Sequence, residues 1–161
     1  MADALILDAS PLIFLSRVDL LHLLPRLANT LQVPASVVAE VKAGEATDPV
    51  VASVGTWAEG YLGRDVPVPL SVAAWELGAG ESQVIAAACG VPGSEVALDD
   101  LAGRRCALPH GPHVVGTLGL LLRGRQRGFI PAVRSILQRL LDSGMYLEPT
   151  LAESVLAEVG E

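Results

Sequence analysis

Cysteine is nearly absent from this chain, with Cys89 and Cys106 the only two among 161 residues. A disulfide-stapled secreted scaffold is thereby excluded, and a reducing compartment is expected. Both thiols fall in alanine-rich stretches of helical character, where free cysteine acts as a small buried apolar side chain. Lysine is scarcer still: Lys42 stands alone against ten arginines, a composition typical of GC-rich bacterial or archaeal genomes. A membrane-length apolar run is also missing. The longest uncharged stretch, Cys106 to Leu122, contains Pro109, His110, Gly111, Pro112 and His113, which rules out a continuous helix of the ~20 apolar residues a span requires. Asp3 and Asp8 interrupt the apolar N-terminal segment and no basic residue precedes Arg17, unlike a signal peptide. The expectation is a cytoplasmic protein with no membrane anchor. With 51% hydrophobic and 18% charged residues, one globular domain over 1–161 is expected, large enough to bury roughly 68–70% of its unfolded surface.

The net charge of −7 speaks at first against a nucleic-acid partner, which usually calls for excess Lys and Arg. The charge is segregated, however. Between Arg104 and Arg139 lie seven arginines (Arg104, Arg105, Arg123, Arg125, Arg127, Arg134 and Arg139) and no acid, so this stretch carries +7 and the remainder −14. An acid-free arginine segment reads as a surface for backbone phosphates, although Arg123 and Arg127 would also be favourable simply as cations near a helix C-terminus.

Short apolar runs alternate with helical patterns. Ala4–Leu7, Leu31–Val33, Val66–Val68, Glu95–Leu98 and His113–Val115 read as strands, with prolines 67 and 69 limiting the third to an edge. Helices are expected from Pro11, with Ser10 as N-cap; over Asp19–Leu27, with Asp19 as cap; from Pro34 to Gly44; over Pro49–Leu62; from Glu81 to Gly90; around Arg104 and Arg105; and over Thr117–Arg127. Two further amphipathic helices are expected over Pro131–Leu141 and Leu151–Val159. The alternation predicts an α/β fold with a central, mostly parallel sheet flanked by helices in three layers, and ligands then gather beyond the carboxyl ends of the strands.

Four acidic positions stand out against that frame. Asp8 follows the first strand, where the alternative is an acid bonded to nearby backbone amides. Glu40 lies at helical spacing from Val37 and beside Val41, which turns it toward the apolar face or its boundary. Glu81 opens a helix, where a negative charge is favourable in any case. Asp99 and Asp100 follow a strand, where one can cap the next helix and the other can pair with Arg104. Gathered together, these carboxylates would repel one another unless a cation neutralised them, and oxygen-rich clusters suit Mg²⁺ or Mn²⁺. No His/Cys cluster points to zinc, and His110 and His113 read as loop residues.

The segments Leu7-Asp8-Ala9-Ser10-Pro11-Leu12-Ile13, Pro34 to Val41 with Glu40, and Gly78-Ala79-Gly80-Glu81 resemble the acidic framework of PIN-domain ribonucleases. Asp99-Asp100 with Arg104-Arg105, then Val115 to Leu122 and Gly128-Phe129-Ile130-Pro131, resemble a prokaryotic PIN subfamily of predicted nucleic-acid-binding proteins related to VapC-type toxins. The resemblance implies metal-binding and catalytic acids at Asp8, Glu40, Glu81 and the Asp99-Asp100 pair. Asp100 is favoured within the pair because the usual acid stands two positions after a threonine, here replaced by Leu98. The resemblance further implies Ser10 beside the first acid and Thr117 either orienting a water or capping its helix. Arg104, Arg105, Arg123, Arg125 and Arg127 would contact nucleic acid. The implied activity is Mg²⁺- or Mn²⁺-dependent hydrolysis of RNA, with single-stranded RNA as substrate, a small antitoxin as possible partner and a homodimer as the expected assembly. The alternative from another class is a PIN-like module that binds nucleic acid without cleaving it. A phosphoryl-aspartate receiver is disfavoured because the sole lysine lies in the wrong part of the chain.

Overall fold

Short runs of aliphatic residues, each closed by a helix start, produce a five-stranded sheet in the computed structural model, which describes residues 2–44 and 47–161. The strands are β1 (Ala2–Leu7), β2 (Ala28–Pro34), β3 (Leu62–Gly63), β4 (Ser94–Ala97) and β5 (His113–Val115), in the order β3-β2-β1-β4-β5 with every pairing parallel. Leu5, Ile6 and Leu7 in β1, and Val96, Ala97 and Leu98 in and after β4, are fully buried. Central strands of a parallel sheet are covered on both faces, which is why these runs are continuous rather than alternating. Cover comes from α1 (Ala9–Arg17), α2 (Ala35–Gly44), α3 (Pro49–Glu59), α5 (Ala79–Cys89), α6 (Leu101–Ala107) and α7 (Thr117–Gln126), with a short α4 (Leu70–Ala73) between. Of the last two helices, α8 (Arg134–Asp142) reaches the core through Leu140 and Ile136, and α9 (Pro149–Glu158) buries Val155. The expected α/β class and central sheet are observed, and the sheet is wholly parallel. Among the described residues no helix is long and apolar enough to cross a membrane.

Several local expectations are corrected. The first helix starts at Ala9 with Asp8, not Ser10, as its N-cap residue. The Asp8 amide still donates to the Ala97 carbonyl across the sheet (3.1 Å), which holds Asp8 extended and lets the helix begin one residue later. No α-helix forms over Asp19–Leu27. Asp19 adopts a left-handed conformation (φ 61°), and Leu21–Arg26 is a 3₁₀ turn containing Pro25, whose missing amide cannot support a regular α-helix. Val66 to Val68 is not a strand, because the Gln83 side chain accepts from the Val66 amide and donates to its carbonyl, supplying both bonds a neighbouring strand would have made. The edge strand lies earlier, at Leu62–Gly63. Cys106 is buried as expected, whereas Cys89 at the end of α5 is exposed. His110 is tied into the structure, its Nδ1 donating to the Cys106 carbonyl and its Nε2 meeting the Ser71 hydroxyl.

One ion pair serves the fold directly. Glu95, in β4 and 8% exposed, receives both arms of the Arg123 guanidinium at 2.6 and 2.7 Å. Removing one partner of a largely buried pair leaves an uncompensated charge, whereas removing both with apolar groups is tolerated. Arg123→Ala should therefore lower stability by about 2–4 kcal/mol in urea titration, and Arg123→Leu combined with Glu95→Leu should recover most of that loss. A single-variant cost under ~1 kcal/mol would place the pair among ordinary surface contacts.

Candidate functional site

The chain runs from β1 outward through β2 and β3, then returns to lay β4 on the other side of β1. Strand order thus reverses between β1 and β4, the place where open parallel sheets form their clefts. Asp8 leaves β1 at this point, and Asp99 and Asp100 leave β4. Asp8 is only 4% exposed, and its Oδ1 is buried without a hydrogen-bond partner. Burial pushes its carboxyl up to about 7. The Ala9 amide works against this, while the charges of Glu81, Glu40 and Asp99 add to it. Glu81 is also raised, first by burial and then by Asp100 and Glu40. The tertiary structure therefore brings all five acids within electrostatic reach of one another, with Asp99 bearing on Asp8 and Asp100 on Glu81.

Three of the acids are held by helix N-termini, whose first amides lack intrahelical partners and carry partial positive charge. Glu40 Oε1 accepts from the Gly80 amide at the start of α5 (2.8 Å). Asp100 Oδ2 accepts from the Gly103 amide and caps α6 (2.9 Å). Asp99 accepts from both the Thr117 amide (2.8 Å) and the Thr117 hydroxyl (2.7 Å) at the start of α7. These contacts revise the sequence expectations. Glu40 is exposed and reaches across to the Gly80 amide of α5, the boundary position of the two the sequence left open. Thr117 is fully buried with its hydroxyl donating to Asp99, and Gly116 takes the N-cap position of α7. Ser10 is exposed in the first turn of α1.

Sequence reading missed the glycines that let these groups meet. A Cβ on Gly80 would stand 2.6 Å from Glu40 Oε2, so a side chain there would push the carboxylate out of its present position. At Gly116 a Cβ would fall 2.7 Å from an Arg104 guanidinium nitrogen and 3.0 Å from Asp99 Oδ1. The only signal in the sequence was a glycine at or beside a helix start, which general helix statistics already explain.

The arginine segment does not form one free surface. Arg123 is locked to Glu95, Arg125 reaches Glu161 (3.4 Å), Arg139 reaches Asp19 (3.1 Å), and Arg134 donates to the Glu161 backbone oxygen. Arg127 reaches the Arg26 carbonyl at 3.4 Å. Arg123, Arg125 and Arg127 also lie toward the far end of α7 from Thr117, the residues from Thr117 to Arg123 alone advancing it by about 9 Å. Arg104 and Arg105, in the last turn of the short α6, form no ion pair among the described residues. Arg104 is anchored to the Leu98 carbonyl (3.3 Å).

Among the described residues no three His, Cys, Asp or Glu side chains stand together closely enough to hold an ion by themselves. The donor set nonetheless suits a hard divalent cation. Asp8 carries a buried, unpartnered oxygen, the charged groups that bear on it are all carboxylates, and Mg²⁺ keeps several waters while taking only one or two carboxylates from protein. Fold and site together define a doubly wound, all-parallel α/β protein with an acidic cleft at the strand-order reversal. The DUF3368 family model, described as a PIN domain, matches residues 4–161, and the chain belongs to the PIN-domain family. No curated protein and no solved structure matches it. PIN domains are generally nucleases that bind nucleic acid and typically use divalent metal ions.

A raised carboxyl destabilises the metal-free fold above its ordinary range. Between about 3.8 and about 7 the folded protein holds a proton on Asp8 that the unfolded chain has lost, so stability falls as pH rises through that window and levels off above it. Asp8→Asn should remove this slope. In urea titration with chelator, the variant should gain on the order of 2–4 kcal/mol over wild type at pH 8 and little at pH 4. Parallel pH profiles for the two proteins would refute the assignment.

Proposed function

We propose that this protein is a divalent-metal-dependent endoribonuclease whose site is built on Asp8. The observation that carries the reading is the buried, unpartnered Oδ1 of Asp8 at the reversal point, with Glu81, Glu40 and Asp99 bearing on it. Asp8 and Glu81 would hold Mg²⁺ or Mn²⁺, since their carboxyls are the two displaced upward by burial and by neighbouring acids. Such an ion, when bound, activates water and neutralises charge developing on phosphoryl oxygens. Glu40, Asp99 and Asp100 set the starts of α5, α7 and α6 around it. Arg104, beside Asp99 with no acid paired to it, attracts the flanking phosphate, and exposed Arg105 adds to the field. The whole chain acts as one domain in this reading. A toxin role, a small antitoxin partner and a homodimeric assembly belong to it as well.

Mn²⁺-dependent cleavage of single-stranded RNA should fall at least about a hundredfold in Asp8→Asn, more than the ~10–100-fold that loss of an outer partner of a metal ligand costs. Mn²⁺ should raise the Tm of wild type at pH 8 and leave that of Asp8→Asn unchanged, a readout independent of turnover. Growth arrest on expressing wild type but not Asp8→Asn would support the toxin role. One observation favours the second reading, a non-catalytic RNA-binding module: Glu40, Asp99 and Asp100 are already satisfied by helix amides. Salt-sensitive RNA binding without cleavage under any divalent ion would establish that reading instead.

A further inference from the structure

Next to the acidic site lies a cleft of about 510 Å³, walled by apolar side chains of α1, α7 and α9, among them Phe14, Leu122 and Leu151. Its volume falls within the ~300–1,000 Å³ of small-ligand pockets. Its polar lining is Asp99, whose charge bears on Asp8, and Arg104, held over Gly116, on the side of the site, with Ser154 and Glu158 contributed by α9. Tyr146, in the loop between α8 and α9, also lines the cleft, yet is 91% exposed. An aromatic ring left in water at the edge of an apolar cleft gains little for the fold, since none of the described residues covers it.

We propose that this cleft binds an unpaired nucleobase of the RNA strand, stacked on Tyr146, beside the phosphate that the acidic site engages. The position of that phosphate rests on the nuclease reading. A single strand fits the arrangement because it alternates anionic phosphates with flat apolar bases. Arg104 meets the first element at one end of the cleft, and the aliphatic walls with Tyr146 meet the second. Unpaired bases splayed from a strand are commonly held by stacking on aromatic side chains. The C-terminal segment thereby selects single-stranded over paired RNA, since a base inside a duplex cannot enter.

The test compares two labelled strands of equal length, a single-stranded RNA octamer and an abasic ribose-phosphate octamer, by fluorescence anisotropy. Both are measured in an Asp8→Asn background so that nothing is cleaved. Tyr146→Ala should weaken binding of the base-bearing strand about 5- to 100-fold, the range of one base–aromatic stack. Tyr146→Phe should bind as before, and neither substitution should alter binding of the abasic strand. Leu151→Asp, at an exposed position of α9, should mimic Tyr146→Ala. Equal losses on both strands, or no loss on either, would overturn the proposal. So would loss of self-association in Tyr146→Ala with RNA affinity intact, which would give the cleft to a second copy of the chain. If wild type cleaves nothing yet the base-specific loss appears, the base site stands and the nuclease reading fails. Cleavage by wild type with Tyr146→Ala indifferent to bases sinks the base site alone.

Discussion

A carboxylate placed at the end of the central strand, out of water and without a partner for one oxygen, is the constraint around which the rest of this molecule is arranged. Asp8 cannot swing outward, because its amide is bonded to the Ala97 carbonyl and α1 begins at the next residue. Isolated charges in such a position are tolerated only if they are neutralised by proton or cation. Asp8 Oδ1 has no hydrogen-bond partner among the described residues, so nothing there offsets the cost of burying it.

The neighbouring acids show how the cost of clustering is contained. Glu40, Asp99 and Asp100 each answer the orphan amides of a different helix, so three negative charges sit against three partly positive helix starts. The Asp99 and Asp100 bonds tie α7 and α6 to the carboxyl end of β4, and the Glu40 bond ties α5 to α2. Glycine at 80 and 116 leaves room for this arrangement, since a methyl group would displace the Glu40 carboxylate at the first position and Arg104 and Asp99 at the second. Site and scaffold are thus built from the same contacts, and Asp8 with Glu81 remain the groups whose protonation is displaced.

Charge illustrates how far a linear reading can mislead. The arginine-rich stretch contains no acid, and as a sequence it reads as a phosphate-binding surface. Folding imports the missing acids: Glu95 for Arg123, Glu161 for Arg125 and Asp19 for Arg139. Only Arg104 and Arg105 are left near the acidic site without an ion pair among the described residues, so the electrostatic character of the cleft depends on two cations and not seven.

The α/β class and the central strands of the sheet were legible in the residues, because burial on both faces demands continuous apolar runs. The edge strand and the Asp19 region were not legible. There a glutamine side chain replaces a strand partner, and a proline with a left-handed aspartate replaces a helix. By itself the sequence determined which residue types could bear the chemistry, since periodicity and chain order are local properties. Which carboxylate is left unpartnered, which arginines stay free and which cleft opens beside them were decided only by tertiary structure, because each depends on contacts between residues far apart in the chain.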